Sequence, residues 1–237
     1  MNTRSQMMCL WCGPIAIVIW LAGFGFCAGF LPPLSPSSTA AEITAYYTQH
    51  SVLVKLGLIL TMIGGSVTGP WVAAITTQMK RIEGRYSPMA YTQLGMGMGG
   101  ILLFIIPVMN LQTAAFRPER NPDLIQLAND LGWIPFVGVW SMAFVQNIAI
   151  GACILQDTKR VFPRWVGYFN IYTALLFPPG TLIYYFRNGP FAWDGLLSWW
   201  LVVIDFVIWF AVMFFVMRKA IREQAAETPQ GEPALTA

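Results

Sequence analysis

The chain has 237 residues and a formal net charge of +3; 56% of its residues are hydrophobic and only 11% are charged. Because a soluble domain carries about 25% charged residues, this composition leaves too little polar surface to cover a soluble globule. It also excludes a disordered chain, a coiled coil and a disulfide-stapled secreted module, and it predicts an integral protein of the lipid bilayer.

Six apolar stretches are long enough to cross the bilayer as helices, since one crossing takes about 20 residues. In chain order they cover residues 10–31, 52–78, 91–115, 132–155, 165–186 and 196–217. The predicted fold is therefore an all-α bundle of six transmembrane helices, which forms a single membrane domain over residues 1–220. Residues 221–237 are predicted to form a flexible cytoplasmic tail.

Basic residues are distributed unevenly between the two sides of the predicted membrane. Ten lie on the side that holds both termini, whereas the opposite side holds only Arg117, Arg120 and Arg187. The side richer in Lys and Arg is normally cytoplasmic, so both termini are predicted inside a bacterial-type inner membrane. The positive net charge is thus a topology signal, and no nucleic-acid partner is predicted.

Two segments between the spans carry signals for helix starts. Thr39 and Glu42 match a capping box, in which each side chain serves a free backbone N–H of the first turn. This pattern predicts a short helix over residues 40–50. Asn121 and Pro122 fit the N-cap and the first position of another helix, which is predicted to run through Asn129 into the fourth span.

Motifs for known catalytic chemistry are missing from the chain. Its single histidine, His50, cannot provide the paired imidazoles of a bis-histidine haem or the many ligands of a di-iron hydroxylase. No P-loop, G-x-S-x-G or H-E-x-x-H motif occurs. We therefore predict neither a metal nor a cofactor, assign no catalytic residue, and consider an enzyme the less favoured class.

Asp205 is the most informative residue inside a predicted span, because a carboxylate near a helix centre is costly in the membrane. It is predicted either to bind a proton or cation or to form a structural pair. Lys55 in the second span would pair with Asp205 or extend its ammonium to the outer surface. Trp209 lies four residues after Asp205 and shares its helix face, whereas Trp199 fits the aromatic belt at the membrane interface.

Other polar residues within the spans add candidates for ligand binding or proton coupling. These are Gln146 and Asn147 in the fourth span, Ser66 and Thr68 in the second, and Tyr172 in the fifth. Amides and hydroxyls in lipid need partners, so the alternative is that they tie neighbouring helices together.

Glycine and proline interrupt the second and the fifth span. The residues concerned are Gly64, Gly65, Gly69, Pro70, Pro178, Pro179 and Gly180. Proline removes a backbone donor and glycine weakens a helix, so both spans are predicted to break or kink. As the middle members of two three-span halves, they fit 3+3 inverted halves around a transporter-type site; the alternative is a pair of ordinary proline kinks.

Several stretches resemble a family of bacterial six-helix inner-membrane proteins that has no established activity. They are residues 78–84 (QMKRIEG), 116–120 (FRPER), 163–169 (PRWVGYF) and 189–193 (GPFAW). The resemblance covers most of residues 30–220. It implies a polytopic bacterial-type membrane protein and transfers no site residue.

Three functions are compatible with these features. The first is a carrier or binder of a hydrophobic or amphipathic small molecule, with Asp205 as its protonatable group. The second is a non-catalytic membrane subunit or accessory protein, which acts with a membrane-protein partner or as a homo-oligomer. The third is a small isomerase-like intramembrane enzyme that uses Asp205 with Lys55 or Tyr172 as acid and base.

Overall fold

A computed structural model describes residues 2–227, and these residues contain helices and loops but no β-strand. Helix α1 (Thr3–Trp20) continues as a π-helical segment (Leu21–Cys27). It is followed by α2 (Ala40–Gln49), α3 (Ser51–Glu83), α4 (Pro88–Phe116), α5 (Pro122–Gly138), α6 (Ser141–Leu155) and α7 (Arg164–Leu176). The chain then forms a 3-10 helix (Pro178–Tyr184) and a π-helical segment (Leu196–Trp200), which leads into α8 (Leu201–Glu227). The predicted all-α class is confirmed.

Among the described residues, five helical stretches are long and apolar enough to cross a membrane. They are Thr3–Cys27, Ser51–Glu83, Pro88–Phe116, Pro122–Leu155 and Leu196–Glu227. Their length and composition are compatible with an integral membrane protein. They correspond to the first, second, third, fourth and sixth predicted spans, while the side of the membrane that the termini face stays a prediction.

The fifth predicted span is not one long helix. Helix α7 ends at Leu176 and is followed by the 3-10 helix Pro178–Tyr184, so neither piece alone is long enough to cross. Pro178 and Pro179 lack backbone donors, and Gly180 N donates instead to Phe177 O at 2.9 Å, in the tighter 3-10 pattern.

The second predicted span does not break, so of the two predicted outcomes the break is wrong and the kink stays a prediction. Helix α3 runs continuously through Gly64 and Pro70. Helices α1 and α4 pack along it, and the glycine allows one of these contacts, since a Cβ on Gly64 would lie only 3.2 Å from Ala16 O of α1. Close tertiary packing thus compensates for the weak local sequence, and the predicted symmetry of breaks in spans two and five is absent.

An interruption that the sequence analysis did not predict lies in the fourth span. Helix α5 ends at Gly138 and α6 begins at Ser141, with Val139 and Trp140 between them. Pro135 occurs just upstream and cannot donate to Leu131 O. Asn110 of α4 fills this gap, because its Nδ2 donates to Leu131 O at 3.0 Å.

The end of α8 is ordered further than predicted. Residues 221–227 belong to the helix rather than to a tail, and Gln224 is buried against α3. Gln78 donates from Nε2 to Gln6 Oε1 at 2.6 Å and to Gln224 Oε1 at 2.8 Å. This amide cluster holds α1, α3 and α8 together. The rest of the predicted tail, residues 228–237, lies outside the described residues.

The predicted capping box is confirmed at the start of α2. Thr39 N donates to Glu42 Oε2 at 2.7 Å, and Glu42 N donates to Thr39 Oγ1 at 3.3 Å. Asn121 likewise caps α5, since its Oδ1 accepts from Asp123 N at 2.8 Å. Both signals depend only on neighbouring residues, so they could be identified from sequence.

Buried apolar side chains form two clusters along the bundle. One surrounds Trp71 and Met213, and the other surrounds Phe24 and Trp133. The candidate site described next is lined by residues from both clusters, so it lies where they meet.

Candidate functional site

A cavity of about 190 Å³ lies inside the bundle, and we call it the bundle cavity. Its walls come from α1, α3, α4, the α5–α6 junction, the end of α7 and α8. Most lining side chains are aliphatic or aromatic, and no charged side chain of the described residues lines it. The polar lining residues are Thr68, Gln146, Ser198 and the tryptophans 20, 71, 140, 199 and 209.

Two helix interruptions form one wall of the bundle cavity. Val139 and Trp140 at the α5–α6 junction line it together with Phe177 at the end of α7. The two interruptions also contact each other, because Trp140 Nε1 donates to Thr181 Oγ1. Irregular backbone within a membrane span is tolerated where it is buried in protein or lines a cavity, and these two interruptions do line the bundle cavity.

Another part of the lining comes from α4, which has glycine rather than a side chain at two of the lining positions. Gly100 lines the bundle cavity, and a Cβ built on it would meet no heavy atom of the described residues within 4 Å. Gly97 lines it too, but there a Cβ would lie 2.8 Å from Gln146 Nε2. Gly100 therefore keeps space free, while Gly97 allows close packing.

Three buried indole N–H groups have no hydrogen-bond partner among the described residues. They belong to Trp20, Trp71 and Trp199, and all three tryptophans line the bundle cavity. By contrast, the buried Trp133 donates to Asn129 Oδ1 at 3.2 Å, and Trp209 donates to Asn170 Oδ1 at 2.9 Å. Most buried polar groups are paired, so three exceptions at one cavity need an explanation.

Asp205 is buried, as predicted for an intramembrane carboxylate, but it does not line the bundle cavity. It lies at the α7–α8 contact, where Thr173 Oγ1 donates to Asp205 Oδ1 at 3.3 Å. Its Oδ2 has no partner among the described residues. Of the two alternatives for Lys55, the pair with Asp205 is not formed: none of the ion pairs within residues 2–227 joins them, and Lys55 is half-buried.

The remaining predicted candidates divide into two groups. Gln146, Thr68 and Trp209 line the bundle cavity, so the structure brings these three together. Asn147, Ser66 and Tyr172 do not line it. Asn147 Nδ2 donates to Ala143 O at 2.9 Å and Ser66 Oγ to Met62 O at 3.1 Å, while Tyr172 is 60% exposed on the outside of the bundle.

Two tryptophans that line the site could not be recognised as such from the sequence. No motif in the sequence marks Trp71 as a site residue, and Trp199, predicted for the interface belt, is 4% exposed within the bundle. One signal in the sequence for Trp71 is its position well inside its predicted span, because tryptophan is normally enriched at the membrane interface. Nothing in a single sequence marks which indole N–H will lack a partner.

No three His, Cys, Asp or Glu side chains within residues 2–227 lie close enough together to hold a metal ion. Comparisons with protein-family models, with curated proteins and with solved structures find no match to the chain. The resemblance to the bacterial inner-membrane family therefore stays a prediction from sequence.

Proposed function

We propose that the protein is a membrane binder or carrier of a hydrophobic or amphipathic small molecule, which occupies the bundle cavity. The observation that carries this proposal is the cavity itself, which is apolar, bounded by helices, partly open to the surface of the bundle and lined by two helix interruptions. Small-molecule sites are typically concave and mostly apolar, with a few placed polar groups. Thr68 and Gln146 are such groups.

The route into the bundle cavity favours a ligand dissolved in the membrane. Leu21 at the end of α1 and Val207 of α8 both line the cavity, yet they are 39% and 45% exposed on the outside of the bundle. An apolar molecule could therefore enter from the hydrocarbon between α1 and α8. Burial of apolar ligand surface contributes about 25 cal/mol per Å² to binding only where that surface leaves water. A ligand that leaves lipid gains little from burial, so the polar groups of the cavity must supply the selectivity.

The experiment is native mass spectrometry of the full chain, extracted from its membrane in mild detergent. We expect a retained small molecule in the wild type. Gly100→Leu fills the bundle cavity from an open position and should abolish retention. Gly95→Leu is the matched control, because Gly95 lies on the same helix, is exposed, has no neighbour within 4 Å of a Cβ and does not line the cavity.

Equal retention by the Gly100→Leu and Gly95→Leu proteins would contradict the proposal, as would a wild type that never retains a molecule. In either case the ligand, if any, would not occupy the bundle cavity.

Asp205 enters the proposal as a protonatable group beside the site. It precedes the cavity-lining Phe206 on α8, so a change in its protonation could shift that helix against α7. We expect ligand retention to depend on pH in the wild type and to lose that dependence in Asp205→Asn. The same pH dependence in both proteins would remove proton coupling from the proposal and leave ligand binding intact.

The two alternative functions, a membrane subunit and an isomerase-like enzyme, stay predictions. For the enzyme, Tyr172 is exposed and Lys55 does not pair with Asp205, so the predicted acid–base partners are not assembled around the carboxylate.

A further inference from the structure

A second cavity, separate from the bundle cavity, opens at the end of the bundle where α6 leads into α7. It measures about 760 Å³ and lies between the α6–α7 loop, the first residue of α7, and the part of α8 from Val216 to Glu223. We call it the basic cavity. Two of its lining residues, Phe162 and Ala220, are only 2% exposed. The basic cavity is therefore a recess backed by the packed core and not a flat stretch of surface.

The charged side chains that line the basic cavity are three cations and two carboxylates. The cations are Arg160, Arg164 and Lys219, and the carboxylates are Asp157 and Glu223. All three cationic residues are exposed, so a ligand from outside can reach them. The guanidinium groups of Arg160 and Arg164 form no hydrogen bond and no ion pair within residues 2–227. Helix α7 also begins at Arg164 without a side-chain cap, so the partial positive charge of its N-terminus adds to the positive potential.

Each of the two carboxylates already has a partner. Asp157 Oδ1 accepts from Lys159 N at 2.8 Å and its Oδ2 accepts from Phe162 N at 3.3 Å, so this carboxylate holds the α6–α7 loop in place. Glu223 Oε1 lies 3.7 Å from Lys219 Nζ in an exposed pair, and exposed ion pairs contribute little to stability. The two arginines therefore lack an anionic partner, and the lysine can exchange its partner at little cost.

The basic cavity lies where the exposed surface of the bundle changes from apolar to charged. On α7, Arg164 is followed by the exposed aromatic residues Trp165 and Tyr168. On α8, Phe215 is 64% exposed and Lys219 is the exposed residue one turn later. In a membrane-spanning bundle, aromatic side chains collect at the interface and charged ones lie just outside the hydrocarbon. This boundary indicates that the basic cavity is at the level of the lipid headgroups.

We propose that the basic cavity binds the phosphate of an anionic phospholipid headgroup. Guanidinium groups bind phosphate oxygens through charge-assisted and often bidentate hydrogen bonds, and basic pockets between transmembrane helices are suited to anionic headgroups. Arg160 and Arg164 would bind the phosphate, with Lys219 as the third cation. The acyl chains would lie against the exposed apolar faces of α7 and α8. A soluble phosphate ester shares this chemistry, so the test separates the two sources. The inference does not depend on the ligand of the bundle cavity.

The test titrates the full chain in mild detergent with dioleoyl phosphatidylglycerol or dioleoyl phosphatidylcholine, and native mass spectrometry counts the bound lipid. The two lipids share their acyl chains, but the first is anionic and the second is zwitterionic. We expect the wild type to bind phosphatidylglycerol more tightly. Arg160→Asn and Arg164→Gln should each weaken that binding roughly threefold to tenfold, the value of one cation near an anionic headgroup, and leave phosphatidylcholine binding unchanged.

The matched control is Arg222→Gln, because Arg222 is exposed on α8, lies three residues after Lys219 and does not line the basic cavity. It removes the same charge at the same end of the bundle and should leave the binding of both lipids unchanged. Arg160 has a φ of 57°, a conformation that asparagine adopts more readily than arginine, so the thermal midpoint of Arg160→Asn should not fall. Gly100→Leu, which fills the bundle cavity, should bind phosphatidylglycerol as the wild type does.

Three results would overturn the inference. If the wild type binds the two lipids equally, the basic cavity does not select an anionic headgroup. If Arg222→Gln weakens phosphatidylglycerol binding as much as Arg160→Asn does, the effect comes from diffuse surface charge and not from a site. If glycerol phosphate binds as tightly as the lipid and loses affinity in the same variants, the basic cavity binds a soluble phosphate ester and the lipid assignment is wrong.

Discussion

Two neighbouring aromatic regions of the bundle differ in whether their buried hydrogen-bond donors have an acceptor. In the Asn129 cluster, which comprises Tyr47, Asn129 and Trp133, Asn129 Oδ1 accepts from Tyr47 Oη at 3.0 Å and from Trp133 Nε1 at 3.2 Å. Burial raises the pKa of Tyr47, so its hydroxyl stays protonated and donates. In the bundle cavity, the indoles of Trp71 and Trp199 have no acceptor within residues 2–227.

The two regions are in contact, so neither a large separation nor a different polarity of the surroundings explains why only one of them provides acceptors. Phe24 packs against Trp133 at 5.6 Å and against Trp199 at 6.1 Å between ring centroids. The chain thus provides an amide acceptor for the Trp133 indole and none within residues 2–227 for the Trp199 indole. The buried hydrogen bonds of the Asn129 cluster stabilise the fold, whereas the bundle cavity leaves apolar space between the helices.

The largest effect on stability is expected when the hydrogen bonds of the Asn129 cluster are removed. Asn129→Ala leaves the Tyr47 hydroxyl and the Trp133 indole buried without an acceptor, so the free energy of unfolding should fall by about 2–4 kcal/mol. Denaturant titration in micelles, followed by tryptophan fluorescence, measures this change. The control is Asn188→Ala: Asn188 is exposed and its Oδ1 accepts from the exposed Ser37 Oγ, so this variant should lie within about 0.5 kcal/mol of wild type. Equal losses would mean that the cluster carries no special stability.

A second prediction compares the packing density of the two regions by the same substitution, glycine to alanine. A Cβ on Gly132, near the Asn129 cluster, would lie 2.5 Å from Leu111 Cγ, whereas one on Gly100 would meet nothing within 4 Å. Gly132→Ala should therefore cost about 1–3 kcal/mol of unfolding free energy. Gly100→Ala should be neutral or gain about 0.5–1 kcal/mol through helix propensity. A similar cost at both positions would argue that the bundle cavity closes in solution.

A third prediction compares the two kinds of indole directly. Trp133→Phe removes a donor that has a partner, and Trp71→Phe removes one that has none. Both lose the same ring volume, so in ligand-free protein Trp133→Phe should be the more destabilising by about 1 kcal/mol. Denaturation curves of the two variants, measured under the same conditions, show which variant is less stable. A larger loss for Trp71→Phe would show that its N–H is already satisfied in the apo protein.

The smallest effect concerns α2, which packs on α5 beside the Asn129 cluster. The backbone N–H of Thr39, and then its hydroxyl, donate to Glu42 and lower the pKa of that carboxyl. The capping contribution is therefore present above about pH 4.3, the ordinary value for Glu, and is lost as pH falls through the lowered pKa. The thermal midpoints of wild type and Glu42→Gln should differ more at pH 7 than at pH 3. A difference independent of pH would contradict this.

Features that depend on neighbouring residues could be predicted from sequence. The capping box at Thr39 and Glu42 and the N-cap at Asn121 appear in the structure as expected. Five of the six expected apolar spans are also present as long helical stretches. Composition and local hydrogen bonding determine these features, and both can be read along the chain.

Features that depend on other helices could not be predicted. Pro70 and its glycines indicated a break, yet α3 is continuous because α1 and α4 pack along it. The end of α5 at Gly138 was not predicted, and of the two alternatives for Lys55 the pair with Asp205 is absent from the described residues. In each case the partner of a backbone or side-chain group lies on a distant segment.

The sequence by itself determined the all-α fold, the long apolar helical stretches and the local helix starts, because apolar length and capping chemistry act over a few residues. Only the tertiary structure decided which interrupted helices meet, where α4 leaves space at Gly100, and which indoles lack an acceptor. The physical reason is that a polar group buried in a bundle is satisfied or left free by whichever helix packs against it. That choice is made in three dimensions, and in this protein it separates the Asn129 cluster from the bundle cavity.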